Sequence, residues 1–122
     1  MSTVPALVDR LRAVGRDAGL DALGFAVAEP FTSTRDDLLE RKAAGLHGGM
    51  QFTYRDPARS TDPGRILDGA RTLVVGARSY RRAAPLTADG PTGRVAAYAW
   101  RDHYADLRGG LQAVADALGA EG

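Results

Sequence analysis

The segment RTLVVGARSY, residues 71–80, is the clearest strand in the chain. Leu73, Val74 and Val75 stand side by side without alternation, the pattern of a strand buried on both faces of a sheet. Upstream, DALGFAVAE, residues 21–29, is a second apolar run of strand length, broken by Pro30. Downstream, Val95–Tyr98 within GRVAAYAW, residues 93–100, reads as a third strand.

Around these runs the spacing changes to that of helices. Val4, Leu7, Val8, Leu11, Val14 and Ala18 recur at three- and four-residue steps, which puts them on one face. Ser2 or Thr3 is the expected cap, Pro5 suits the first turn and Gly19 ends the helix. A second helix is expected over 33–44, with Asp36 and Asp37 early and Arg41 and Lys42 late, as the helix dipole favours. A last helix is expected over 102–118, with Leu107, Leu111, Val114 and Leu118 on one stripe. Gly109 and Gly110 in its middle cost about 2 kcal/mol relative to alanines. Either a close approach by another backbone or a flat ligand explains them, or a codon bias does.

Residues 45–65 are irregular, with Gly48-Gly49, Asp56-Pro57 and Asp62-Pro63 as turn signals and a short helical turn expected over 50–54. The run RRAAPLTADGPTG, residues 81–93, reads as a mobile surface loop. The order helix, strand, helix, strand, strand, helix contains no internal repeat. It implies an α/β class, with α+β as the neighbouring possibility: one domain over 1–122, a small sheet of about three strands covered by helices. The last helix gives way to LGAEG where an α/β pattern turns into its next strand, so the architecture reads as incomplete at its C-terminus.

Apolar residues at 44% and charged residues at 25% are ordinary for a soluble globular protein. The net charge of +1 gives no bulk electrostatic case for nucleic acid or acidic lipid. Lys42 is the single lysine, so fifteen of the sixteen basic residues are arginine. That bias reflects either codon usage that enriches Ala, Arg and Gly together or recognition of phosphate and carboxylate by the guanidinium fork. With no cysteine, the chain offers no thiolate nucleophile, disulfide or iron–sulfur ligand of its own. It holds no apolar run of membrane-spanning length and no signal-peptide core, and a cytoplasmic location is expected.

Motif by motif, the chemistry is sparse. Gly45–Gly49 lacks the lysine of a phosphate loop, and no GxGxxG opens a helix. His47 and His103 are the only histidines. Asp102 and Asp106 flank His103, but 102, 103 and 106 do not share one helix face as metal ligands would. Asp102, His103 and Tyr104 could supply an acid–base pair; at a helix start a capping role for Asp102 competes with that. Arg78, Arg81 and Arg82 follow a strand, where sheets bind ligands, and Arg59, Arg65 and Arg71 could extend them into a basic rim. The alternative is a solvated loop.

Taken in order, four stretches resemble the N-terminal region of epoxyqueuosine reductase, an enzyme family of queuosine biosynthesis and tRNA modification. They are GLDALGFAVAEP (19–30), AGLHGGMQFTYRDPARSTDP (44–63), ILDGARTLVVGARSY (66–80) and GRVAAYAWRDHYADLRGGL (93–111). Leu46, Gly49 and Asp68 stand where that family commonly has tyrosine, glutamate and proline. His103 falls at a family aspartate and Ala105 at a family histidine.

The resemblance implies an oxidoreductase with a cobalamin cofactor held between this region and a following one. That following part carries the catalytic aspartate and the cysteines for [4Fe–4S] clusters. It implies cobalamin contact at Ala96, Ala97 and Tyr98, and the small side chains of Ala96 and Ala97 would let a flat ring approach the backbone. Arg59, or Ser60 one position on, would bond a polar edge of the cofactor. Trp100 and Tyr104 are expected to pack the strand against the last helix. The implied partners are tRNA bearing epoxyqueuosine and the missing iron–sulfur region, with no membrane and a monomeric state. The chain alone, lacking the acid and the cluster ligands, is expected to be inactive and to expose an apolar face on the strand side. The alternative is a stand-alone module for a corrinoid, a flavin or a phosphorylated ligand.

Overall fold

The computed structural model describes residues 3–83 and 89–121. In chain order they form helix α1 (Val4–Asp17), strand β1 (Ala22–Val27), helix α2 (Thr32–Ala43), two single-turn helices α3 (Pro57–Ser60) and α4 (Pro63–Ile66), strand β2 (Thr72–Ala77), a 3₁₀ turn (Ala97–Ala99) and helix α5 (His103–Gly119). β1 and β2 pair with each other. Their register is antiparallel: Asp21 N–H donates to Ala77 O at 2.9 Å and Ala28 N–H to Arg71 O at 3.1 Å. The mixture of helix and sheet expected from the sequence is present, and the three main helices fall within two residues of their expected bounds.

The expected third strand is not. Val95 and Ala96 are irregular, and Ala97–Ala99 closes into a turn in which Ala99 N–H bonds to Ala96 O at 2.9 Å and Trp100 N–H to Ala97 O at 3.2 Å. Alanine is a weak strand former, and Ala96, Ala97 and Ala99 dominate the segment. The Trp100 indole N–H donates to Val95 O at 2.8 Å, capturing a carbonyl that a ladder would need. The sheet among the described residues therefore has two strands. Part of the loop expected to be mobile, 84–88, lies outside the described residues.

The chain divides into two compact units, Met1–Gly24 with Val75–Gly122, and Phe25–Val74. In the first, the core is Leu11, Leu20 and Val114, none more than 3% exposed. Helix α1 ends as its sequence suggests. Gly19 takes φ +90°, Gly19 N–H bonds to Arg16 O and Leu20 N–H to Gly15 O, which is a Schellman closure. The leucine that follows the glycine is thereby turned back onto its own helix. Glycines line its seat: a Cβ on Gly15 would lie 3.3 Å, and one on Gly76 3.2 Å, from Leu20 Cδ1. Helix α5 reaches the same place with Gly110 and Leu111, and an ion pair joins Arg10, midway along α1, to Glu121, just past the end of α5.

The second unit repeats the helix closure. Gly45 takes φ +72°, Gly45 N–H bonds to Lys42 O and Leu46 N–H to Arg41 O. The two Asp-Pro turn signals prove to be helix starts. Asp56 accepts from Arg59 N–H at 3.1 Å and Asp62 from Gly64 N–H at 3.0 Å, each with proline at the first helical position. Thr61 between them is buried and donates its hydroxyl to Pro57 O at 2.6 Å, while its carbonyl accepts from Phe31 N–H at 2.8 Å.

Candidate functional site

At the start of α5 the expected cap is in place. The Asp102 carboxylate accepts from Ala105 N–H at 3.0 Å and stands 3.7 Å from the Arg108 guanidinium. It thus caps the helix, and among the described residues no hydrogen bond joins it to His103. His103 points its Nε2 at Ala97 O, 3.1 Å away, and its ring lies 5.7 Å from that of Tyr80. No group of three metal-ligating side chains exists among the described residues.

These residues border a cleft of about 340 Å³ lined by Arg78, Tyr80, Tyr98, Arg101, Asp102, His103, Tyr104 and Leu107. Its polar wall is fixed by Asp106, whose Oδ2 is shared between Arg78, at 3.6 Å, and Arg101. With Asp102 also in the lining, two guanidinium groups face two carboxylates at the cleft. Three tyrosines and an imidazole supply flat surfaces. Such a lining can accept an aromatic or otherwise planar group, with guanidinium donors at its edge.

Three of the four residues expected at a cofactor come from one stretch of this unit. Tyr98 lines the cleft, Ala97 gives its carbonyl to His103, and Ala96 precedes the turn and is exposed. Arg59 belongs to the other unit, on α3, where it is exposed; its guanidinium has no hydrogen-bond or ion-pair partner among the described residues. The arginines considered for a basic rim divide likewise: Arg59 and Arg65 with Arg71 in one unit, Arg78 with Arg81 and Arg82 in the other.

Two expectations change. Tyr104, expected to pack the strand against the last helix, is 71% exposed and lines the cleft from the first turn of α5. Arg78, read as either a phosphate contact or part of a solvated loop, is an ion-pair partner of Asp106. Sequence reading missed the meeting of Arg78, Arg101 and Asp106; the i, i+5 spacing of Arg101 and Asp106 across a helix start was the available signal. In the other unit, the His47 ring lies 5.6 Å from Tyr54, and its Nδ1 is buried without a hydrogen-bond partner among the described residues.

The chain matches no established family profile and no solved structure. It is similar to two curated proteins, the epoxyqueuosine reductases of Bacillus anthracis and Bacillus cereus. Each is 30% identical to it over 105 residues, which is 82% of this chain and 27% of the relative. The chain thus spans about a quarter of the length of the curated relatives it matches.

Proposed function

We propose that residues 1–122 form the N-terminal, cobalamin-contacting region of an epoxyqueuosine reductase-like oxidoreductase. The observation that carries this is the open backbone at Ala96, beside an aromatic cleft, in a chain similar to two proteins of that name. The residues fit a broad flat ring. Ala96 is exposed and presents one methyl group, and its neighbours Val95 and Tyr98 are also exposed apolar surface. The cleft itself is smaller than a corrinoid, so it would take an edge or side group of one.

In this reading Ala96, Ala97 and Tyr98 line the approach of the ring. Bound cobalamin would supply a redox-active cobalt. The reaction of the whole protein would convert the epoxide of epoxyqueuosine in tRNA to an alkene, taking up two electrons and two protons and releasing water. With no cysteine in the chain, thiolate ligands for [4Fe–4S] clusters would come from a following iron–sulfur region. The chain by itself would not turn over. A monomeric, cytoplasmic protein belongs to the same proposal; no helix among the described residues is long and apolar enough to cross a membrane.

The cleft favours a second reading. Its arginines and tyrosines suit a phosphorylated aromatic such as a flavin nucleotide, and the chain would then be a stand-alone binding module. Titration of the chain with cob(II)alamin, flavin mononucleotide and inorganic phosphate separates the two. A saturable change in the cobalamin spectrum, without binding of the other two, is expected. Flavin binding with no cobalamin response would reverse the assignment, and turnover of modified tRNA by the chain plus reductant would refute its inactivity.

A further inference from the structure

Among the described residues, no strand ladder holds the turn at Ala97–Ala99. Its two internal bonds are local, Ala99 N–H to Ala96 O and Trp100 N–H to Ala97 O. The bonds that fasten it to anything else come from side chains that follow it in sequence. Trp100 Nε1 donates to Val95 O at 2.8 Å, and His103 Nε2 meets Ala97 O at 3.1 Å. The first only closes the segment on itself. The second joins it to the first residue of α5, which is anchored in the core through Gly110 and Val114.

Two side-chain routes then run from this segment to the residues that follow β2. One is aromatic: the His103 ring, half-buried, rests 5.7 Å from Tyr80. The other is ionic: Arg101 to Asp106 to Arg78. The arginines and the aspartate are at least one quarter exposed, so water and salt weaken that route. The imidazole bond is part-buried and is not screened in the same way.

We propose that His103 is a positioning residue, which sets the backbone of the Ala96–Tyr98 ligand-contact turn through its bond to Ala97 O. The proposal rests on the cobalamin-contact reading only for which ligand the turn meets. A carbonyl oxygen can only accept, so Nε2 must carry the proton. The neutral ring is therefore the Nε2–H tautomer. Glutamine places its amide nitrogen the same number of bonds from Cα as Nε2, whereas asparagine reaches only as far as Nδ1. His103→Gln should keep the tether and His103→Asn should lose it.

The test is nitrogen-15 NMR on the 122-residue chain with its variants. The His103 ring is expected to show the Nε2–H tautomer at a pH where it is neutral. Amide exchange at Ala99 and Trp100 is expected to rise about fivefold in His103→Ala and His103→Asn, the loss of one net hydrogen bond, and to stay near wild type in His103→Gln. Cobalamin affinity should fall and recover in the same order. An Nδ1–H tautomer in the wild-type ring, or unchanged exchange in His103→Ala, would overturn the proposal. The tautomer is read without any variant, so misfolding of a variant leaves the test intact. Failure of every chain to bind cobalamin, with tautomer and exchange as expected, would refute the cofactor reading and leave the tether standing.

Discussion

Gly110 and Leu20 meet so closely that a single methyl group does not fit between them. A Cβ built on Gly110 would lie 2.6 Å from Leu20 Cδ2, 2.7 Å from its Cγ and 3.4 Å from Ala18 O. Leu20 cannot withdraw, since Gly15 and Gly76 bound its other side. Helix α5 therefore crosses the α1–β1 connection at a distance that only glycine allows. Gly109, its neighbour, has nothing within 4 Å of such a Cβ.

That contrast gives opposite expectations for adjacent positions. Gly109→Ala should stabilise the chain by about 1 kcal/mol through helix propensity alone. Gly110→Ala gains the same propensity but should lose roughly 1–3 kcal/mol to overpacking. Urea denaturation of both variants checks this, and equal midpoints would contradict the packing described.

Removing the other partner should cost more. Leu20→Ala empties a seat lined by glycines, which have no side chains with which to refill it. A loss of about 2–5 kcal/mol is expected for a buried leucine, and by the same denaturation assay this should exceed the effect of Leu118→Ala on the exposed side of α5.

Asp102 tests the cap against the acid–base alternative. Asp102→Ala should lower stability by about 1 kcal/mol, while Asp102→Asn, which still accepts from Ala105 N–H, should stay within a few tenths. Thermal melts measure both. If the carboxylate served proton transfer instead, asparagine would be as harmful to activity of the complete protein as alanine.

Ala96→Leu tests the approach to the backbone. Ala96 is exposed and makes no packing contact that the core depends on, so the variant should keep its melting temperature. Cobalamin affinity should fall by at least about tenfold, the equivalent of 1.4 kcal/mol. Spectroscopic titration reads the affinity, and an unaltered value would remove Ala96 from the contact surface.

The helices were legible because their signals are local. The periodicity of Leu7, Leu11 and Val14, and the glycines at 19 and 45, needed no knowledge of the rest of the chain. Asp102 was readable as a cap for the same reason. The Asp-Pro pairs were legible as breaks but not as helix starts, since a turn and a capped single-turn helix begin with the same two residues. The segment at Val95–Tyr98 misled because a strand needs a neighbour, and the side chains of Trp100 and His103 claim its carbonyls instead. The cleft was out of reach for another reason. Arg78 and Asp106 are far apart in sequence, and only packing of α5 near the end of β2 brings them to 3.6 Å.

The motif Ala-Gly-Leu occurs twice, at 18–20 and 44–46, and closes a helix identically each time. The first leucine is 3% exposed and the second 73%. Stopping a helix and hiding the leucine behind it are thus separate jobs, and only Leu20 does both. Leu46 is a place where the chain can be made more hydrophilic, by serine or glutamine, to aid handling in concentrated solution without loosening its interior.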